Sequence, residues 1–256
     1  MKFLFSSDIH FGFSERTASI HESLRLKRLS SLDFDAVVIA GDLGTAKLAH
    51  LESACKFLRR LAGDRPVFVV LGNHDFWDRR VYSFAHIKRR QAEILDRHKI
   101  TNLETLLEID NPEAFLRAST AAGVTFVGYA GWYATPYPAT NDPAHIPEFT
   151  KADGSNHALV RRSDAAARLA GDRAEFARDM GHRVVVVTHF PIFKGDPAWK
   201  KDYAGNPRHF DLFDGRCDVL CFGHSHHRLD VTTEKGTRVL NVGGDYDNPR
   251  YMIVEL

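Results

Sequence analysis

Short runs of β-branched and aromatic residues recur along the chain, and the stretches between the early ones have a helical period. FLFS, AVVIA, VFVV, VTFVGY, RVVVV and DVLCF are apolar on successive positions rather than alternate ones, so such strands must be covered on both faces. We expect strands near 2–7, 36–41, 66–71, 124–130, 183–188 and 217–222, and three more near 228–233, 237–242 and 250–255 as an antiparallel meander. Helices are expected near 15–30, 46–62, 79–99 and 157–180, with Ser14, Thr45 and Asp78 as N-caps of the first three. Helices between strands favour parallel pairing with right-handed crossovers, whereas the closing meander is antiparallel. That mixture points to an α/β chain with two sheets facing each other and helices outside.

Two stretches fit neither pattern. The segments 131–156 and 193–211 are rich in proline and aromatics and exceed ordinary connection lengths, so both read as irregular loops. No linker divides residues 1–256, which read as one domain. Lys+Arg 34 against Asp+Glu 33 leaves a formal charge of +1, which argues against a broad nucleic-acid surface. Arginine doublets such as Arg59-Arg60 and Arg161-Arg162 fit solvated helix faces. No run is long enough to span a membrane, and the apolar N-terminal stretch is too short for a signal peptide. Cys55, Cys217 and Cys221 form no framework of pairs and read as buried thiols in a reducing, cytoplasmic setting.

The ends of the runs carry the chemistry. FLFSSDIH stops at Asp8 and His10, AVVIAGD at Asp42, and VFVVLGNHD at Asn73, His74 and Asp75. RVVVVTH stops at His189, and DVLCFGHSH at His224 and His226. In open α/β sheets ligands gather beyond the carboxyl ends of strands, where these residues would stand. Asp8 and His10 are two apart, so on a strand they share a face. Glycine before Asp42, Asn73 and His224 fits a backbone turning tightly where side chains converge. Asp8, His10, Asp42, Asn73, His189, His224 and His226 make a mixed oxygen and imidazole set without thiolate. One tetrahedral ion cannot use them all, but two ions sharing a carboxylate can. Such donors suit Mn, Fe, Zn, Co or Ni better than Ca or Mg. Two ions about 3.5–4 Å apart clamp the attacking and leaving oxygens of a phosphoryl group, so phosphate ester hydrolysis is the expected chemistry.

The ordered set Asp-x-His, Gly-Asp, Gly-Asn-His-Asp, His, Gly-His-x-His resembles the calcineurin-like metallophosphoesterases over residues 8 to 226. The resemblance implies a four-layer α/β/β/α sandwich with two mixed β-sheets. It implies that Asp8, His10 and His226 hold one divalent ion, that Asn73, His189 and His224 hold the other, and that Asp42 bridges them. It also makes His74 the group that contacts phosphate and protonates the departing oxygen, with Asn73 beside it on the substrate. Manganese is the ion expected to support activity. The expected reaction is in-line attack by hydroxide held on the ions, with His74 as the acid.

The substrate is read as a small phosphate ester. GDLGTAK (41–47) lacks the Gly-Asp-x-x-Asp-Arg-Gly of the family's protein phosphatases, and Gly-Asn-His-Asp replaces Gly-Asn-His-Glu. Both lean toward phosphodiesters, with nucleotides or cyclic nucleotides as one option. Phosphomonoesterase, nuclease and non-catalytic scaffold stand as alternatives. Trp132, Tyr133, Tyr137, Trp199 and Tyr203 are candidates for stacking on a base, and Lys194, Lys200, Lys201 and Arg208 for a second phosphate. Asp75 either orients a histidine or caps the following turn, and His227 faces away as a surface residue.

Overall fold

The structure is a computed structural model that describes residues 1–12, 29, 31–45, 47–77, 83–133, 155–196, 205–244 and 250–256. The helix expected at 15–30 lies almost wholly outside them, as do Ser14, Asp78, Tyr137, Trp199, Lys200, Lys201 and Tyr203.

The first sheet is built from β1 (Lys2–Ser6), β2 (Ala36–Ala40), β3 (Val67–Val70) and the short β4 (Thr101–Asn102), all parallel, with β11 (Tyr251–Glu255) antiparallel on the outer side of β1. The second runs in the order β5 (Thr120–Ala121), β6 (Val124–Tyr129), β7 (Arg183–Thr188), β8 (Val219–Phe222), β10 (Arg238–Asn241), β9 (Leu229–Thr232). Its inner pairs are parallel and its two edge pairs, β5 with β6 and β9 with β10, antiparallel. Both sheets are mixed. The expected closing meander does not form as drawn. β9 and β10 make an antiparallel hairpin, but β10 lies parallel to β8, and β11 leaves for the other sheet. Nothing local in the three runs says which strand edge each will join.

Burial on both faces explains the unbroken apolar runs. Phe3 and Phe5 of β1 and Val38 of β2 point into the core between the sheets, while Leu4, Val37 and Ile39 point out. In the second sheet Val185 and Val187 face inward, and Val184 and Val186 outward. Phe126 stacks on Phe68 at 4.6 Å and meets Phe3 edge-on at 5.2 Å, which keys one sheet to the other. Outside the first sheet lie α1 (Leu48–Ala62) and α2 (Phe84–Arg97), and outside the second α4 (Pro112–Ser119) and α5 (Ser155–Asp179). A short turn, α3 (Leu103–Leu106), precedes α4 where the chain passes from the first sheet to the second. The chain is therefore the four-layer α/β/β/α sandwich.

Helix starts depart from expectation in two places. α1 begins after Lys47, which makes no side-chain cap, and the Thr45 carbonyl instead contacts the His50 ring. α2 starts later than expected, capped by the Ser83 hydroxyl, which accepts from the His86 amide at 3.2 Å. The expected loop at 193–211 contains a turn of 3-10 helix over Pro207–Leu212.

Candidate metal centre

The described strand ends converge at one place. β1 and β2 are followed by segments that continue side by side: the amides of Asp8, His10 and Phe11 donate to the carbonyls of Gly41, Asp42 and Leu43 at 3.0, 3.0 and 2.9 Å. β1 itself ends at Ser6, so strand alternation is not what aims Asp8 and His10 together. Left-handed backbone does it. Asp8 (φ 52), His10 (φ 44), Asp42 (φ 53), His224 (φ 63) and His226 (φ 57) all have positive φ, and among the described residues only Lys99 and Ala122 share this outside glycine. Each such residue costs on the order of 1 kcal/mol, so strain is concentrated where side chains must converge.

The glycines before Asp42, Asn73 and His224 have distinct reasons. Gly41 needs its positive φ of 86, and a side chain there would also strike the His189 ring. Gly72 is extended (φ −102, ψ 179), and a Cβ there would collide with Asp42 and lie 2.7 Å from His189 Cε1. A Cβ on Gly223 would lie 2.6 Å from the Ala40 carbonyl and 2.7 Å from Asp8 Oδ2. Close approach, more than turning, is what excludes side chains at Gly72 and Gly223.

Asp42 sits at the middle. Its Oδ2 lies 3.7 Å from His10 Nε2, and its Oδ1 lies 3.5 Å from His189 Nε2 and accepts the His74 amide at 3.0 Å. His226 Nε2 is 3.4 Å from Asp8 Oδ1, and Asp8 accepts the His224 amide at 3.0 and 3.2 Å. His189 Nε2 meets Asn73 Oδ1 at 2.9 Å while its Nδ1 meets the Ala40 carbonyl at 3.0 Å. The His224 ring lies 5.2 Å from that of His189. Three trios bring ligand atoms within 4.8 Å of one another: Asp8, His10 and His226; His10, Asp42 and His74; Asp8, Asp42 and His189. All seven expected ligand residues and His74 thus share one site, fed by both sheets.

Protonation states suit cation binding. Burial pushes the His10 and His189 imidazoles down to about 2 and about 3, so both are neutral donors at physiological pH. Burial alone would push the Asp8 carboxyl up, but His226, His189 and His10 around it outweigh that and hold it well below the usual carboxylate range. Uncompensated buried carboxylates are costly, and a divalent ion is the natural partner for this donor set.

A ring of supporting groups holds the loops. Asp75 accepts from the amides of Gly72, Leu43 and Gly44 at 3.0, 3.3 and 2.8 Å, so it caps its own turn and clamps it to the Asp42 loop. Burial pushes its carboxyl up to about 6 despite those amides. Asn241, at the end of β10, donates to the Gly223 carbonyl at 3.2 Å and to Ser225 Oγ at 2.8 Å, and its own carbonyl receives the Gly243 amide at 2.9 Å. Ser225 in turn donates to Asp196 at 2.7 Å. Sequence reasoning passed over Asn241, although it too is a polar residue ending an apolar run. His227 is exposed, as expected.

Trp132 and Tyr133 do not offer faces for stacking on a base. They are 5% and 2% exposed, and Trp132 packs 5.1 Å from Phe190, whose ring lies 4.4 Å from His224. They wall the site from behind.

A fold of this kind with paired carboxylate and imidazole clusters at its strand ends defines a dinuclear metallohydrolase. The sequence matches the family described as calcineurin-like phosphoesterase over residues 1–228, and the chain belongs to that family. Solved structures agree on the fold. The phosphopantetheinyl hydrolase of Mycobacterium tuberculosis is 18% identical, with 96% of this chain and 90% of that one covered at a TM-score of 0.68. A dimetal phosphatase from Danio rerio is 12% identical, with 100% and 92% covered at 0.65. GAP50, described as the anchor in the inner membrane complex of Plasmodium, is 12% identical, with 98% and 80% covered at 0.53. No curated protein matches the chain in sequence. The family uses two divalent cations, and the chain is a metal-dependent phosphoric ester hydrolase. No helix among the described residues is long and apolar enough to cross a membrane.

Proposed function

We propose that this single-domain protein hydrolyses small phosphodiesters at a two-cation centre. Asp8, His10 and His226 would hold one cation, Asn73, His189 and His224 the other, and Asp42 would serve both. The observation that carries this reading is the placement of Asp42: its two carboxylate oxygens face different histidines, Oδ2 toward His10 and Oδ1 toward His189. Two divalent cations, manganese foremost, supply Lewis acidity that neutralises a phosphoryl group and makes water acidic enough to attack at neutral pH. The protein's own part is to keep His10 and His189 neutral, to fix the carboxylates, and to present a proton donor.

His74 is that donor. It lies 7% exposed beside Asp42, where its ring can reach a departing oxygen and the Asn73 amide group can donate to a phosphate oxygen. The preference for diesters rests on GDLGTAK and Gly-Asn-His-Asp. Segments 131–156 and 193–211 shape the choice of substrate. The three buried free thiols accord with a reducing, cytoplasmic setting.

The test is chelation followed by metal return. Purified protein should lose activity on a bis-aryl phosphodiester after chelation and regain it with manganese. Asp42→Ala should abolish turnover; full activity in that variant would refute the centre. A faster rate on the matched aryl monoester would overturn the diester preference.

A further inference from the structure

One side chain outside the chemistry above lies against His74. The Trp77 indole lies tilted against the face of the His74 imidazole, with ring centroids 3.7 Å apart and planes inclined by 33°. Aromatic pairs ordinarily settle about 4.5–7 Å apart, so this pair overlaps at van der Waals contact. From another side the His10 ring meets His74 edge-on, with centroids 4.7 Å apart and planes at 79°. The bond from the His74 amide to Asp42 fixes its backbone, but the terminal torsion of an imidazole is broad and would leave the ring free to turn. One face contact and one edge contact remove that freedom. Trp77 is itself anchored, because its amide donates to the His74 carbonyl at 3.3 Å and its ring packs on the outer core of the first sheet.

We propose that Trp77 is a positioning residue for proton delivery, holding the His74 imidazole in the orientation from which it protonates the departing oxygen. This rests on His74 being the proton donor. In that step the P–O bond to the leaving group breaks and its electron pair stays on the departing oxygen. The imidazolium N–H proton goes to that oxygen, the attacking water forms the new P–O bond and gives up a proton to solvent, and the ring regains its proton from solvent. A donor must come within about 2.6–3.2 Å of its target, a tolerance that rotation of an unsupported ring exceeds.

A leaving group that departs readily needs little protonation, whereas a poor one needs the acid. Phosphodiesters carrying nitrophenyl and unsubstituted phenyl groups separate the two cases. Trp77→Ala should lose about 10-fold in kcat on the phenyl ester while staying within about threefold on the nitrophenyl ester, and Trp77→Phe should restore most of the loss. His74→Ala should show the same selectivity more strongly, and elemental analysis of Trp77→Ala should find the parent's metal content. An equal fall on both esters, no change on either, or loss of metal from Trp77→Ala would overturn the proposal. If His74→Ala is selective and Trp77→Ala is not, only the role of Trp77 falls. If His74→Ala is itself unselective, the proton-donor reading falls and this one with it.

Discussion

Replacing Gly72 with alanine isolates the effect of close approach from that of backbone strain. Gly72 has φ −102 and ψ 179, which alanine adopts freely, so the backbone imposes no penalty. By shortening the list of conformations open to the unfolded chain, the change would by itself stabilise the protein by about 0.4–1 kcal/mol. The new Cβ, however, would collide with the Asp42 carboxylate and lie 2.6 Å from the Asp42 amide and 2.7 Å from His189 Cε1. Relaxed carbon contacts lie about 3.5–4.0 Å apart, so Asp42 or His189 must move by roughly 1 Å. Overpacking of this kind costs about 1–3 kcal/mol, leaving a net loss of up to about 2.6 kcal/mol. For a chain of this size the melting temperature should fall by a few degrees, at about 2–4 °C per kcal/mol. Function should suffer far more, because the displaced groups are among the proposed ligands of both cations. We expect manganese affinity, measured by calorimetric titration, to weaken about 10- to 100-fold. Gly171→Ala in α5 is the control, since its Cβ would meet only Leu212 Cβ at 3.9 Å. It should be neutral or stabilising. A Gly72→Ala protein that binds manganese as tightly as the parent and melts no lower would refute the reasoning.

Metal-free protein should lose stability in mild acid. His10 and His189 have folded pKa values of about 2 and about 3 against an ordinary 6.5, so only the unfolded chain takes up their protons as pH falls below 6.5. At pH 5 this costs about 2 kcal/mol per histidine, and Asp75, whose raised pKa of about 6 acts in the opposite direction, returns about 1 kcal/mol. Urea unfolding at pH 7.5 and pH 5 should show the net loss, and equal stability would contradict it. Asn241→Ala removes the bonds to Gly223, Ser225 and Gly243, and should cost about 1–3 kcal/mol while weakening metal binding through the His224–His226 loop. Unchanged metal affinity would show that the loop stands alone. Burial pushes the Cys55 and Cys217 thiols up to about 12 and Cys221 further, so a thiol reagent at neutral pH should label native protein only on unfolding. Rapid labelling would disprove that burial.

The sheets and the site were readable because both rest on strong local signals. A strand buried on both faces writes itself as a continuous apolar run, and each run's polar stop gave Asp8, Asp42, Asn73, His189 and His224 directly. The chirality of the backbone at those stops was not readable, since nothing in Asp-Ile-His or His-Ser-His requires positive φ. The wrong reason, strand alternation, therefore reached the right pairing of Asp8 with His10. The destination of β11 was equally hidden, because its run suits either sheet and only the edge left open beside β1 decides. Trp132 and Tyr133 looked like binding aromatics in a proline-rich stretch, but burial depends on distant Phe190, which no window of sequence contains.

The centre takes Asp8, Asp42, Asn73 and His74 from the tips of one sheet and His189, His224 and His226 from the tips of the other. Its geometry is hence a gauge of how the two halves slide over Phe3, Phe68 and Phe126, far below it. A change of shape along that hidden seam would pull the two halves of the centre out of alignment without touching a residue of the centre itself.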